Sequence, residues 1–484
     1  MAATLAGSAG RGVAWTTASR LVARITDLAV LMILARTLEP AAFGLAALAS
    51  SILAFVDVAR DLGLGQAAVQ SKEFTSLQRD SLFWGALAIG VLLAGLVLAT
   101  SGQIAAFLGN ADAAPVIALL SASLVLASLS VVPMTDLQRS LEFRPIAIRG
   151  TLGALGGGIV GVTMALLGFG VFSLIARTLT DNFLGTVLLW ASSRKPPGLH
   201  FSWPQFTNLM RFGSAVAGAR TLETFVSRAD DLIIGRTMGA AALGIYTIAF
   251  RIFRIMVEVF ASSINQVMFP VFSRMNGEVA RLQSAYYQTV RLTATAAVPV
   301  FALVAATGPW LIPLLFGNQW QESVPVMQIL AILGVVQALR YYDAAIITAM
   351  GRPVKVLAVR AITGTLTVAG FVVGGFLGDL RWFALAAVLV ALFVSTPIWF
   401  WLLWTTARIN PVTTLGIVWK PILAGLLAVA GVTGLAQLLT GQSDLVHVAV
   451  LLPAGVVLYA GLITIGDRGS VVLLFTQLKG IRRR

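Results

Sequence analysis

Only 11% of the 484 residues are charged and 58% are hydrophobic, at a mean hydropathy of +0.90. A soluble globular chain carries about a quarter charged residues, so this composition excludes one and predicts an all-α polytopic membrane protein. The net charge of +14 is not a nucleic-acid signature, because the bases sit in short connectors and at the C-terminus (Lys479, Arg482, Arg483, Arg484). Apolar runs of about 20 residues recur from end to end, each able to cross a hydrocarbon core of about 30 Å. Their continuity excludes a β-barrel, whose strands alternate over about 10 residues. The chain holds no cysteine and only two histidines, His200 and His447, so no zinc site or Cys–His pair can be built. No cofactor or metal is expected. Charges interrupt the first apolar segment and no cleavage site follows it, which excludes a removed signal peptide.

Fourteen spans are predicted, at about 13–36, 41–65, 80–100, 114–135, 147–168, 170–192, 207–235, 240–267, 288–308, 323–349, 354–377, 382–405, 415–439 and 446–466. Alternate connectors differ in charge. One set holds Lys72 and Arg79; Arg139, Arg144 and Arg149; Arg194, Lys195 and Arg211; Arg274, Arg281 and Arg291; Arg352, Lys355 and Arg360; and Arg408 with Lys420. The other holds Arg36, Arg236 and Arg381. The positive-inside rule then places the first set and both termini in the cytoplasm. No connector is long enough for an extramembrane domain. The longest, SRKPPGLHFSWPQF at 193–206, reads as an interfacial linker joining two halves.

Those halves look related. ARTLEPAAFGLAALA at 35–49 aligns without gaps on GRTMGAAALGIYTIA at 235–249, and Arg20 falls on Arg220 at the same offset. VDV at 56–58 meets VEV at 257–259 one residue later. Two six-helix halves of this kind are a transporter architecture. The expected organisation is an N-lobe at 1–195, a cytoplasmic linker at 196–206, a C-lobe at 207–407, and two extra helices with a basic tail at 408–484.

The first span, with TASRLVARITDLAV at 17–30, carries Arg20, Arg24 and Asp27. Each ionisable group at a helix centre costs about 2.5–3.5 kcal/mol on insertion scales. Steps of four and three put these three on one face, while Leu21, Val22, Ile25 and Leu28 make the opposite face apolar. Similar clusters follow: Asp57 with Arg60 and Asp61, Arg177 with Asp181, Arg220 with Glu223, Arg228 with Asp230 and Asp231, and Arg340 with Asp343. The eighth span repeats the two-base, one-acid face with Arg251, Arg254 and Glu258. Arg177–Asp181 and Arg340–Asp343 read equally well as self-neutralising pairs. In spans one and eight the bases outnumber the acids, which makes an anion site, and the guanidinium fork matches phosphate. Arg20, Arg24, Arg60, Arg220, Arg251 and Arg254 are the candidate anion ligands; Asp27, Asp57, Glu258 and Asp343 are the candidate coupling or gating carboxylates.

The run GTLGALGGGIVG at 150–161 lacks the Lys-Ser/Thr of a phosphate loop. Gly153, Gly157 and Gly161 step by four, the spacing of close helix packing in lipid. Pro133, Pro299 and Pro397 lie within spans and are expected to kink them.

Several stretches carry a family resemblance: LARTLEPAAFGLAALA (34–49), DLGLGQAAVQSKE (61–73), LGIYTIAFRIFRIMVEVFASSINQVMFPVFSRM (243–275), PLLFGNQWQESVPVMQILAILGVVQAL (313–339) and ITAMGRP (347–353). With these the chain resembles the polysaccharide transporter branch of the multidrug/oligosaccharidyl-lipid/polysaccharide exporter superfamily, in particular the colanic-acid-type repeat-unit flippases. The resemblance implies two six-helix lobes around a central cavity, working by alternating access. It implies an undecaprenyl-pyrophosphate-linked oligosaccharide as substrate, moved from the cytoplasmic to the periplasmic leaflet of the bacterial inner membrane. Coupling to an ion gradient or to membrane potential, contact with membrane lipids, and work beside a polysaccharide polymerase and a chain-length regulator are also implied; nucleic acid is not. In the related peptidoglycan-precursor flippase, arginines of the first and eighth spans meet the pyrophosphate. The matching positions are Arg20 or Arg24 and Arg251 or Arg254, and the two extra helices match that relative's lipid-tail groove.

Three other readings compete. A drug exporter of the same fold would want an acid-dominated cavity, against the arginine surplus. The peptidoglycan-precursor flippase itself fits the quoted motifs less well than the exopolysaccharide branch. A membrane polymerase or ligase would need a large periplasmic loop, and the connector near 308–322 is short. An enzyme is therefore not expected.

Overall fold

A computed structural model of the chain describes residues 22–193, 196–274, 278–467 and 469, with the side chains of 214–216, 219 and 259–274 set aside. Arg20, Arg194, Lys195, Lys479, Arg482, Arg483 and Arg484 fall outside the described residues. Among the described residues there is no strand. The helices are α1 (22–37), α2 (Pro40–Asp61), α3 (Leu64–Gln70), α4 (Ser76–Phe107), α5 (Ala113–Leu120), α6 (Ala122–Arg139), α7 (Phe143–Leu166), α8 (Val171–Ser192) and α9 (Trp203–Thr237). There follow α10 (Gly239–Arg274), α11 (Val279–Phe316), α12 (Ser323–Arg340), α13 (Asp343–Ala349), α14 (Pro353–Phe376), α15 (Leu380–Val390), α16 (Thr396–Ala407), α17 (Pro411–Leu438) and α18 (Asp444–Gly466).

The apolar segments read from the sequence lie on these helices, with α5–α6, α12–α13 and α15–α16 each sharing one segment. Eleven helices among the described residues are long and apolar enough to cross a membrane, judged by length and composition. The chain is thus an all-helical multi-pass membrane protein. The helices that do not meet that standard include α8 and α9, and the reason is chemical. Arg177 and Asp181 interrupt α8, while α9 carries Arg211, Arg220, Glu223, Arg228, Asp230, Asp231 and Arg236.

Helix ends follow local chemistry. Thr75 and Gln78 form a reciprocal capping box at the start of α4. At the end of α2 the chain turns through Leu62 and Gly63, both at positive φ. Glycine is required at 63 on a second count, since a Cβ there would lie 2.5 Å from the Gly213 carbonyl oxygen. Between α15 and α16 the backbone makes a π-helical turn over Ala391–Ser395. Pro397, on the first turn of α16, has no N–H to donate, and the Thr396 hydroxyl donates instead to the Ala391 carbonyl at 2.8 Å.

Packing divides the chain into two units, one ending at Gly244 and one beginning at Ile245. In the first, α7 lies along α8, α4 along α6, and α9 along α2, α3 and α4. The glycine face foreseen on α7 is real: a Cβ at Gly157 would meet the Arg177 carbonyl oxygen at 2.5 Å, and one at Gly161 would meet Arg177 Cβ at 2.8 Å. In the second unit α11 is the hub, packed against α12, α17 and α18. Val298 meets Ala424, Ala428, Tyr459 and Ile463; one turn on, Leu303 and Ala306 meet Val432, Ala436 and Leu451. The two helices beyond the internal repeat therefore dock on α11. His447 stacks on Trp310 at 4.7 Å between centroids, a packing role.

Residues 196–202 form a hydrogen-bonded strap laid across the start of α4. Arg79 donates to the Pro196 carbonyl at 2.9 Å, and the Gly198 N–H donates to Asp80 at 2.8 Å. The Trp84 indole donates to the Gly198 carbonyl, and the Ser202 N–H to the Ser81 hydroxyl, each at 2.9 Å. Phe206 then plugs a cluster of Leu64, Leu82, Phe83, Val132 and Leu209.

Candidate functional site

The ionisable groups inside the helices find partners, and mostly not those four residues away. Arg177 of α8 reaches Asp27 of α1 at 2.5 Å, instead of Asp181 on its own helix. Glycines explain the choice. Gly153 and Gly157 draw α7 onto the Asp181 side of α8, where a Cβ at Gly153 would collide with the Asp181 carboxylate. Arg220 of α9 likewise reaches Asp61 of α2 at 2.6 Å, instead of Glu223, because the Gly63–Gly213 contact brings those helix ends together. Further along the same pair of helices, Asp231 accepts from the Ser51 hydroxyl at 2.6 Å and lies 3.4 Å from Arg228. Asp230 beside it is buried.

Arg60 and Asp57 do pair within their helix, at 2.7 Å. The Arg60 side chain is 7% exposed and its Nη1 has no hydrogen-bond partner, while Asp57 is 48% exposed. Arg24 and Arg251 are exposed, and Glu258 is half-buried. Arg254 is exposed as well, with its guanidinium 5.1 Å above the Phe250 ring. Of the candidate residues, Arg24, Asp27, Asp57, Arg60 and Arg220 belong to the first unit, and Arg251, Arg254, Glu258 and Asp343 to the second.

In the second unit the Arg340–Asp343 pair is present, at 3.5 Å, and it belongs to a larger buried cluster. Tyr286 donates to Asp343 at 3.3 Å, Arg340 donates to Thr396 at 3.1 Å, and the Arg340 guanidinium lies 5.7 Å from the Trp399 ring. Asp343 Oδ2 and Arg340 Nε are both buried without a hydrogen bond. Tyr286, Thr396 and Trp399 were invisible to a search for charges, since each is an ordinary residue of an apolar span. Arg139, read from the sequence only as a connector base, donates to the carbonyls of Ala68, Val69 and Ser71 and so closes the end of α3. No group of three or more metal-ligating side chains occurs among the described residues.

Comparison with known proteins places this geometry. The model of the family described as polysaccharide biosynthesis protein matches residues 33–325. The chain belongs to that family. It is similar to the lipopolysaccharide biosynthesis protein WzxC of Escherichia coli (strain K12), 25% identical over 68% of this chain and 67% of that one. It is similar to the succinoglycan biosynthesis transport protein ExoT of Rhizobium meliloti (strain 1021), 29% identical over 66% and 65%. Teichuronic acid biosynthesis protein TuaB of Bacillus subtilis (strain 168) is 26% identical over 62% of each chain. The chain spans about two thirds of the length of these curated relatives. Among solved structures, the fold is similar to a lipid II flippase MurJ in an inward closed conformation, with a TM-score of 0.76 over 94% of this chain and 99% of that one, at 12% identity. An inward-facing multidrug resistance MATE family transporter of the MOP superfamily gives 0.59 over 82% and 95%, at 14% identity. This polysaccharide biosynthesis protein therefore has a MurJ- and MATE-like fold. Of these proteins, ExoT is named a transport protein, and the two solved structures are a flippase and a transporter.

Proposed function

We propose that this chain is a flippase for lipid-linked oligosaccharide repeat units in the assembly of an exopolysaccharide, O-antigen or capsule. One observation carries the reading: a member of a polysaccharide biosynthesis family is folded over 94% of its length like a lipid II flippase. The relatives' names support a sugar polymer precursor as cargo, since lipopolysaccharide, succinoglycan and teichuronic acid are all polysaccharides. Undecaprenyl pyrophosphate is the carrier proposed, moved from the cytoplasmic to the periplasmic leaflet by alternating access. Fourteen crossings, six in each lobe and two beyond, would leave both termini in the cytoplasm, as the basic connectors require. A polymerase and a chain-length regulator would take up the product.

The pyrophosphate is assigned to arginines. Arg24 and Arg254 are the first choice, because both are exposed on helices that otherwise face an apolar medium. Arg251 shares the face of Arg254, three residues away. Arg60 and Arg220 each hold a carboxylate in this conformation and are assigned a secondary role. Asp27, Asp57, Glu258 and Asp343 are the proposed coupling or gating carboxylates, with Asp343 favoured by its complete burial. The test is replacement of Arg24 and Arg254, each by Ala and by Lys, with membrane levels verified. Accumulation of lipid-linked repeat units in the cytoplasmic leaflet is then measured. Loss of export in the Ala variants with partial retention in Lys is expected; full export by both Ala variants would overturn the assignment.

A further inference from the structure

A polar cleft of about 390 Å³ opens between the first turns of α11 and the start of α17, lined by Gln283, Ser284, Tyr287, Gln288 and Arg291 with Ile417 as its apolar wall. Both helices are of membrane-spanning length and composition. Ser284, Gln288 and Arg291 step by four and three, so they share one face of α11. A polar stripe this close to the end of a 38-residue helix lies beyond the roughly 20 residues that hydrocarbon requires, at the level of lipid headgroups.

Two contacts hold the cleft in shape. Gln283 donates to the Arg408 carbonyl at 2.7 Å, and Tyr287 accepts the Asn410 N–H at 2.8 Å, which pins the α16–α17 corner against α11. The Tyr287 phenolic proton is left to donate elsewhere, while Ser284 and Gln288 are exposed. Arg291 is 36% exposed, and its carboxylate neighbour Asp467 stands 4.0 Å away, the outer limit of an ion pair. Asp467 is itself only 13% exposed, so the guanidinium is the part that faces outward. Around the cleft, Arg281 is held by Glu278 at 3.3 Å, and Lys420 follows one turn after Ile417 on α17. The charge balance is positive.

We propose that this cleft binds the phosphate of an anionic membrane phospholipid. Arg291 supplies the charge, Ser284, Tyr287 and Gln288 supply hydrogen-bond donors, and Ile417 gives the headgroup an apolar side. Basic clefts between membrane helices recognise lipid headgroups in this way. Choline or ethanolamine headgroups are disfavoured because their own cation would meet Arg291 and Lys420. A free phosphate ion offers the same oxygens, and the two sources are separated by titrating each. The site is independent of the substrate assignment above.

Native mass spectrometry of the purified full chain in a mild neutral detergent tests it, with dioleoylphosphatidylglycerol titrated against dioleoylphosphatidylcholine and against inorganic phosphate. One retained phosphatidylglycerol per chain is expected, with neither competitor retained to the same extent. Arg291→Gln should weaken that retention by about tenfold, the equivalent of one charged hydrogen bond. Ser284→Asp places a carboxylate in the cleft and should weaken it similarly; Ser284 is exposed, so this variant reads the site even where Arg291→Gln does not fold. Arg360→Gln, which removes a base outside the cleft, should leave retention unchanged. Undiminished phosphatidylglycerol binding in either folded cleft variant overturns the proposal, as does equal binding of phosphatidylcholine or inorganic phosphate.

Discussion

Replacing Gly157 by alanine asks whether α7 and α8 depend on a missing side chain. The added Cβ would lie 2.5 Å from the Arg177 carbonyl oxygen and 3.1 Å from Asp181 Cβ. Comfortable separations are about 3.5 Å or more, so the helices must part by roughly an ångström. Neither obstacle is the flexible tip of a side chain. Overpacking of this sort costs about 1–3 kcal/mol. Gly150, on the same helix, has nothing within 4 Å of its own added Cβ. There alanine should stabilise by about 0.5–1 kcal/mol, since it only removes backbone freedom from a helical position. The same chemical change is thus expected to act with opposite signs two turns apart. Thermal unfolding of the purified protein in detergent, followed by tryptophan fluorescence, provides the comparison. In large domains each kcal/mol moves the midpoint by about 2–4 °C, so Gly157→Ala should unfold several degrees below Gly150→Ala. Equal midpoints for the two variants would refute the glycine-face reading.

Three further predictions use related measurements. Asp27→Asn and Arg177→Gln should be non-additive in a double-mutant cycle, with a coupling of about 1 kcal/mol, modest because Asp27 is 40% exposed; strictly additive midpoints would mean that α1 and α8 are not joined there. Asp343→Asn strands the Arg340 guanidinium in the buried cluster and should cost about 3–5 kcal/mol, whereas Arg340→Leu combined with Asp343→Leu should cost less; the reverse order in the same unfolding assay counts against a coupled pair. Asp80→Ala with Trp84→Phe removes two hydrogen bonds from the strap and should speed limited proteolysis within 196–202, while unchanged cleavage would show that Arg79, Ser81 and Phe206 suffice to hold it.

The hydrophobic runs made most of the helices legible, with ends displaced by several residues and three runs broken into two helices each, because membrane insertion demands that each helix be apolar along its own length. The charges were legible as faces but not as pairs. Arg177 and Asp27 are 150 residues apart, and what joins them is the way glycines on α7 set the position of α8. A one-dimensional reading sees only neighbours at three and four residues. It therefore found Arg340–Asp343, where the partner is local, and misassigned Arg177 and Arg220, where the partner belongs to another helix. The strap escaped for a different reason. Its hydrogen bonds run largely between side chains of α4 and backbone groups of the connector, and backbone groups leave no mark in a sequence. Among the candidate ligands, Arg20 lies outside the described residues, so the choice between Arg20 and Arg24 rests on Arg24 alone.

Under the alternating-access cycle proposed above, the two kinds of pairing have different consequences. A pair within one helix, such as Arg340–Asp343 or Arg60–Asp57, travels with that helix and stays neutral whatever its neighbours do. A pair between helices, such as Asp27–Arg177 or Asp61–Arg220, is neutral only while two particular helices stay in register. Sliding either helix by one turn, about 5.4 Å, would stretch a contact of 2.5 or 2.6 Å well past hydrogen-bonding range. Because Asp27 is 40% and Arg220 44% exposed, each separation costs only about 1 kcal/mol. Each pair is thus a modest tie against sliding along α1–α8 and α2–α9. A cargo carrying its own negative charge could lower that resistance by replacing the carboxylate beside Arg177 or Arg220. Substrate arrival and helix movement would then be coupled through the same guanidinium groups.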